Sequence, residues 1–320
     1  MNKKLLFGAV LLCGVSLSLS ACNFLLPSNS DSGSNSSGER KEPVASEPIV
    51  DEKAGIVTYG MYPHSRILDE KLISDLEKLQ PSNVNDWYYH NGDYYAKLVG
   101  KVSATNDPDT YHSNKFINGE TIVVGKTYWF RVQAIQWKIV SSDNDKYVLM
   151  TSAILNLHRF DASTNNYANS EVRAWLNNSF LPSIFALSSI DRILTNDVDN
   201  SASQTDGDSA NSACDNTQDK MFLPSYKDMS GASFGNLQQR DFKAILTDYA
   251  FAQGAYKSAD SNNSLYRDCG QYWLRSPSKA NKNQQSNKKA AWFMNCSASL
   301  LSWDVDTEDI GVRPMISVAK

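Results

Sequence analysis

An α+β fold with a mostly antiparallel sheet and packed helices, following a leader and a tether, is what this 320-residue chain predicts. Three observations carry the expectation. Strand-like runs come first, then helical runs, then strands again, without the regular alternation of βαβ units. Two hairpins are written into the first half, one at Asn91-Gly92 and one at Ser142-Asp143-Asn144-Asp145. No repeat of fixed period points to a solenoid or propeller.

The elements follow in order. Folded structure is expected to begin near Gly55, with Ile56 to Gly60 a short strand ending in a glycine turn. Leu68, Leu72, Leu76 and Leu79 share one helical face, and Pro81 stops that helix. Trp87-Tyr88-Tyr89 and Tyr94-Tyr95 flank the Asn-Gly turn; aromatic rings there can stack on a ligand, but they favour strand packing first. Thr127 to Val140 and Lys146 to Leu155 make the second hairpin. Ser170 is placed to cap a helix through Leu176, and further helices are expected at about Ile184–Leu194 and Gln238–Ala252, the latter ended by Gly254. Thr195 to Gln218 is an Asp-, Ser- and Asn-rich stretch without periodicity, expected as a long loop. Strands return at Gln271–Leu274, Ala290–Cys296 and Gly311–Val318.

Ahead of all this stand Lys3 and Lys4, an apolar run from Leu5 to Leu19, and then Leu19-Ser20-Ala21-Cys22. The run is too short and too diluted by Ser, Gly and Cys to prefer a span of roughly 20 apolar residues. Its order of charged, apolar and small residues is that of a secretory signal. The segment resembles a bacterial lipoprotein signal with its lipobox. That resemblance implies cleavage before Cys22, lipidation of its sulfur by acyl chains such as palmitate, and anchoring on the outer side of a membrane. Residues 1–21 are then the signal peptide and 22–50 a lipidated tether, too polar to offset its ordering entropy. A flexible chain of that length reaches roughly 30 Å.

Composition bounds the rest. Loss of Lys3 and Lys4 with the leader moves the formal net charge from −4 to about −6. A mildly acidic exported chain lacks the concentrated basic face that nucleic acid requires. With 41% hydrophobic and 11% aromatic residues, the part after the tether can bury a substantial core. It divides into an N-terminal strand–helix–hairpin part, 51–118, and an α+β domain, 119–320.

Six motifs lie in one order: Tyr59-Gly60-Met61-Tyr62-Pro63, Ile135-Gln136-Trp137, Arg173-Ala174-Trp175-Leu176-Asn177, Phe222-Leu223-Pro224-Ser225, Tyr272-Trp273-Leu274-Arg275-Ser276-Pro277 and Gly311-Val312-Arg313-Pro314. Together they resemble an uncharacterised bacterial domain family of exported and surface proteins marked by WLRSP and GVRP signatures. The resemblance spans about Gly55 to Lys320; Met315 departs from it where a small residue is more usual. That family in turn is remotely similar to C-type-lectin-like and formylglycine-generating-enzyme-like folds. Those chains also end with a tryptophan-bearing strand, further strands and a C-terminal arginine, and the lectin-like ones display long loops.

Candidate sites are few. Trp273, Arg275 and Arg313 are candidate ligand or structural anchors: the two guanidinium forks can pair on a carboxylate or phosphate, or can bridge strands to buried carbonyls. The structural role is the expected one. Asp197, Asp199, Asp206, Asp208, Asp215 and Asp219, or Asp304, Asp306 and Asp309, have the oxygen chemistry for calcium, but neither run has the order of a calcium loop, so no cofactor is expected. Beyond Cys13 and Cys22 remain Cys214, Cys269 and Cys296, which allow one of three bridges. Cys269 and Cys296 flank one strand cluster and are the favoured disulfide. No Cys-x-x-Cys pair, His-Glu-x-x-His or Gly-x-Ser-x-Gly occurs, and His64, His90, His112 and His158 have no metal-ligand spacing. The chain carries no catalytic signature. The expectation is a lipid-anchored surface module that binds a glycan, peptide or host-surface component. The alternatives are an envelope assembly protein without a small ligand and, last, an enzyme on the formylglycine-generating-enzyme-like fold.

Overall fold

The chain enters its main sheet at Ile49–Asp51 (β1), which pairs antiparallel with Ile56–Arg66 (β2). The computed structural model describes residues 47–82, 85–103, 113–185, 190–206, 214–258, 268–278 and 289–320, all within the unit Lys41–Lys320. The leader, Cys22 and the tether up to residue 46 lie outside them, as do His112 and Asp208. Regular structure is thus present before Gly55, in β1. A turn closed by the Gly55 N–H donating to the Glu52 carbonyl (3.2 Å) lets Ile49 and Val50 add to the sheet edge.

Gly60 does not end its strand as expected. At φ +73° it sits where the register with the neighbouring strand shifts, a bulge after which β2 continues to Arg66. A Cβ there would lie 2.8 Å from the Phe185 ring and 2.9 Å from the Ile184 carbonyl oxygen, so glycine also admits the helical layer to the strand.

The first helix is Glu70–Leu76 (α1), shorter than its leucine spacing suggests. Asp69 caps it, accepting from the N–H groups of Lys71 (2.9 Å) and Leu72 (3.1 Å). Leu76 is buried with Tyr88, Tyr95 and Trp129. Tyr88–His90 (β3) and Asp93–Val99 (β4) form the expected hairpin, and both turn residues, Asn91 and Gly92, have positive φ as its tight turn requires. Its aromatics serve the core: Trp87, Tyr88, Tyr94 and Tyr95 are buried, and Tyr89 alone of the five is exposed.

Thr127–Ser142 (β5) and Lys146–Thr151 (β6) complete the second hairpin. Strand β5 pairs with β4, β2 and β6, so the 51–118 part and the 119–320 part share one sheet. Trp137 is fully buried in its middle and donates Nε1–H to the Tyr59 carbonyl at 2.8 Å.

After Asn156–Leu157 (β7), Ser170 caps Glu171–Trp175 (α2) by accepting from the Arg173 N–H at 3.3 Å. A wider turn, Leu176–Phe180, continues into Leu181–Ile184 (α3). Of the helix expected over 184–194, Ile184 and Ile190 are helical, but Ile193–Leu194 is a strand (β8) on the C-terminal strand. Nor is 195–218 all loop, because Asn196–Val198 (β9) and Thr217–Asp219 (β10) zip its base into a two-stranded arm. Met221–Phe222 (β11), Tyr226–Met229 (α4) and the small pair Ser233–Phe234 (β12) and Leu237–Gln238 (β13) follow.

The helix expected over 238–252 is two pieces, Gln239–Phe242 (α5) and Asp248–Ala252 (α6). Tertiary pairing breaks it. The Ala244 and Ile245 carbonyls accept from the N–H groups of Gly270 and Ile154, and the Leu246 N–H donates to the Asp268 carbonyl. Thr247 then starts a new helix, capping the Ala250 N–H at 3.0 Å.

The C-terminal third gives Tyr272–Ser278 (β14), Ala290–Met294 (β15), Leu300–Asp304 (β16), Gly311–Val312 (β17) and Met315–Ala319 (β18). Two sheets result. The nine-stranded one runs β1-β2-β5-β6-β18-β11, with β3 and β4 joined to β5 and β8 to β18. The other runs β16-β15-β14-β17-β7, where β14 and β17 pair in parallel. Both are predominantly antiparallel, which bears out the α+β class.

His64 on β2 gives the fold a pH dependence. Its Nδ1 lies 2.7 Å from the Tyr62 carbonyl oxygen, and burial pushes its pKa below the ordinary histidine value despite that bond. The unfolded chain thus takes up a proton more readily than the folded one, and stability falls as pH drops below about 6.5. Carboxylates with depressed pKa values, such as Asp161 and Asp241, add their loss only below about pH 4. Melting curves from pH 8 to 5 should show the wild type losing stability and His64→Gln losing less; parallel curves would refute the assignment.

Candidate functional site

The signature residues turn inward. Trp273 is fully buried, its Nε1–H donating to the His158 carbonyl at 3.1 Å, and its ring meets Phe160 and Phe293 edge-on. Arg275 is 6% exposed and Arg313 is 0% exposed, so neither offers its fork to an external ligand. Arg275 donates to the Leu223 carbonyl (2.9 Å), to Asp228 Oδ2 (3.0 Å) and twice to the Asp199 carbonyl. Its neighbour Ser276 donates to the Gln204 carbonyl at 2.7 Å. These two residues clamp the base of the 195–218 arm.

Arg313 staples three elements. Its Nε donates to the Thr151 carbonyl at the end of β6 (2.8 Å), and Nη1 to the Asp241 carbonyl (2.8 Å) and Phe242 carbonyl (3.3 Å) at the end of α5. Nη1 also lies 3.3 Å from Tyr272 Oη, and the guanidinium carbon stands 5.3 Å from that ring's centroid. Among the described residues no carboxylate pairs with it; carbonyl dipoles and the ring face hold the charge.

The aspartates of the arm do separate jobs. Asp199 caps Ser201 and bonds Gln204; Asp197 bonds Gln218; Asp219 is buried against Arg173. Asp309 accepts from Ser103 at 2.5 Å. Among the described residues no three His, Cys, Asp or Glu side chains converge as a metal site. Cys269 and Cys296, expected as a bridge, are not joined by a disulfide; Cys296 Sγ–H donates to the Cys269 carbonyl at 3.2 Å. Burial raises both pKa values, that of Cys296 to about 12, so these are unreactive thiols in the fold. Cys214 is partly exposed and likewise not in a disulfide.

The groups free to meet a ligand lie elsewhere. A cleft of about 600 Å³ opens between β7, the start of α2, the end of α6 and the 308–309 turn. His158 lines it. The His158 ring stacks on Trp175 (centroids 4.7 Å), Trp175 stacks on Phe180 (4.6 Å), and Phe180 meets Tyr62 edge-on (5.1 Å). This aromatic ladder ties the cleft wall to the core. The Arg159 carbonyl lies 2.6 Å from His158 Nδ1; since a carbonyl only accepts, Nδ1 carries the hydrogen of that bond.

The walls carry charges of both signs, Lys101 and Arg159 against Glu171, Glu308 and Asp309. Arg159 grips Glu171 in a two-pronged pair, 2.6 and 3.1 Å, while Lys101 and Glu308 are exposed. Asp161 orders this wall: burial opposes its ionisation, but N–H bonds from Ser163, Thr164 and Glu171 hold its carboxyl below the usual range. At the floor Asn156 Nδ2 donates to the buried Tyr62 hydroxyl, whose pKa burial pushes far up, so it stays protonated. Such a cleft offers hydrogen bonds of both senses beside an aromatic wall. Sequence reasoning named His158 only as a histidine without metal spacing and Trp175 only as a motif residue. Their meeting is tertiary, and no local signal announces it.

These features define the class: an α+β protein of two mostly antiparallel sheets, stapled by buried arginines, with polar clefts flanking its α2 helix. Residues 144–320, more than half of the chain, match a protein family described as a domain of unknown function (DUF6273), and the chain belongs to that family. The match begins within the β5–β6 hairpin, so the motifs at Arg173, Phe222, Tyr272 and Gly311 fall inside it and those at Tyr59 and Ile135 outside. No curated protein and no solved structure matches the chain. Among the described residues no helix is long and apolar enough to cross a membrane.

Proposed function

We propose that the chain is a lipid-anchored bacterial surface protein whose C-type-lectin-like head binds a polar ligand, a glycan or peptide, in the His158 cleft. The observation that carries the reading is the cleft itself: a cleft-lining imidazole and exposed charges set against an aromatic ladder rooted in the core. The lipobox and polar tether support the anchoring, and the clamped 195–218 arm beside a tryptophan-bearing strand supports the lectin-like analogy.

One set of cells tests both halves. Cells carrying wild-type, Cys22→Ala or His158→Ala chains are labelled with radioactive palmitate and probed with glycan and peptide arrays. Cys22→Ala should lose the label; persistent label refutes the anchor. His158→Ala should keep the label and lose on the order of tenfold in binding, the worth of one good hydrogen bond. Undiminished binding by His158→Ala moves the site elsewhere.

A further inference from the structure

The opposite flank of α2 carries a second cleft, of about 380 Å³, built from the motif residues Arg173 and Asn177 and from the foot of the 195–218 arm. Its charge has a sign. Arg173 and Lys220 line it with a single acid, Asp219, whose side chain is only 2% exposed against 28% for Arg173. Asp219 thus lies behind the guanidinium: it accepts from Arg173 Nε at 2.9 and 3.0 Å and from Thr217 Oγ1 at 2.7 Å. Arg173 Nη1 donates to the Ala168 carbonyl at 2.7 Å, which locks the plane of the guanidinium and, among the described residues, leaves Nη2 for a ligand.

Lys220 supplies the second cation. Its ammonium has three hydrogens and, among the described residues, makes one bond, to the Ile190 carbonyl at 3.2 Å. Asn178, exposed on the same rim, adds an amide. The cleft therefore presents spare donors and one excess positive charge, held in place from behind by a buried carboxylate.

We propose that this cleft binds a carboxylate carried by a small hydroxylated or amide-bearing ligand, with Arg173 Nη2 and Lys220 Nζ as its donors. One excess charge matches a monoanion, and the guanidinium edge matches a planar carboxylate. The site is distinct from the His158 cleft, and the proposal stands whether or not that cleft binds anything.

The carboxylate has two natural sources, an acidic sugar or a peptide C-terminus. The unlipidated full-length Cys22→Ser protein is titrated by NMR with sodium glucuronate, with a free-acid tripeptide, and with the methyl ester and C-terminal amide of each as controls. At least one acid should shift the Asn177, Asn178 and Gln218 side-chain amides, and its neutral control should not. Lys220→Gln should weaken that acid on the order of tenfold, as loss of one charge-assisted bond does. Asn178→Ala, a surface change that leaves the Arg173–Asp219 pair intact, should weaken it less and guards against a folding artefact. Equal shifts from acid and neutral control, no shift from either acid, or full affinity in Lys220→Gln each overturn the proposal. Which acid binds identifies the source.

Discussion

Asp268→Asn is expected to destabilise the fold by about 3–5 kcal/mol, the usual cost of stranding one partner of a buried pair. Lys257 is 4% exposed at its side chain, and its ammonium sits 2.7 Å from Asp268 Oδ1 and 4.9 Å from the Phe251 ring centroid. Removing the negative charge leaves a buried cation with, among the described residues, a neutral amide oxygen and one ring face for compensation. Asparagine isolates the charge, because Asp268 has φ +63° and Asn tolerates that left-handed conformation as well as Asp does. A melting temperature roughly 10 °C lower is the readout. The double change Lys257→Met with Asp268→Asn should recover most of the loss, since apolar replacements of buried pairs are often neutral. A single mutant as stable as wild type would remove the pair from the fold's support.

Arg313→Ala is expected to cost about 3–5 kcal/mol, through orphaned acceptors and the cavity left behind. The Thr151, Asp241 and Phe242 carbonyls lose their guanidinium donors together around a side chain that is itself fully buried, although the Phe242 carbonyl keeps the Tyr272 hydroxyl as a donor. Arg313→Lys should recover less than half. A single ammonium cannot reach both the end of β6 and the end of α5 as a planar fork does. Urea unfolding measures both variants; a lysine variant equal to wild type would show that charge alone, rather than the fork, holds these elements.

Local chemistry was legible where the interaction that decides it lies within a few residues. Asn91-Gly92 demanded positive φ at both positions and produced its hairpin. Ser170 capped the helix it precedes. The alternation of β5, from Tyr128 to Val140, read as a strand and became the one that pairs with β2, β4 and β6. The errors share one cause. Ile245 and Leu246 lie in a stretch with helical spacing, yet their backbone groups pair with Ile154 and Asp268, more than 20 positions distant. Ile193 and Leu194 are drawn onto β18 in the same way. Spacing cannot anticipate which distant edge will compete for a segment's hydrogen bonds.

The candidate sites divide along the same line. Arg275 and Arg313 stood out because charge inside apolar strands is visible in a string of letters; that their forks face carbonyls rather than solvent is not. His158 and Trp175, or Arg173 and Lys220, are 17 and 47 positions apart and become partners through packing alone. By itself, then, the sequence determined the turns, the caps, the strand faces and the α+β class, since each depends on steric and hydrogen-bonding preferences of adjacent residues. Tertiary structure decided which helical stretches survived, where the signature arginines pointed and which polar groups remained unspent at the surface, because those outcomes depend on contacts between residues far apart in the chain.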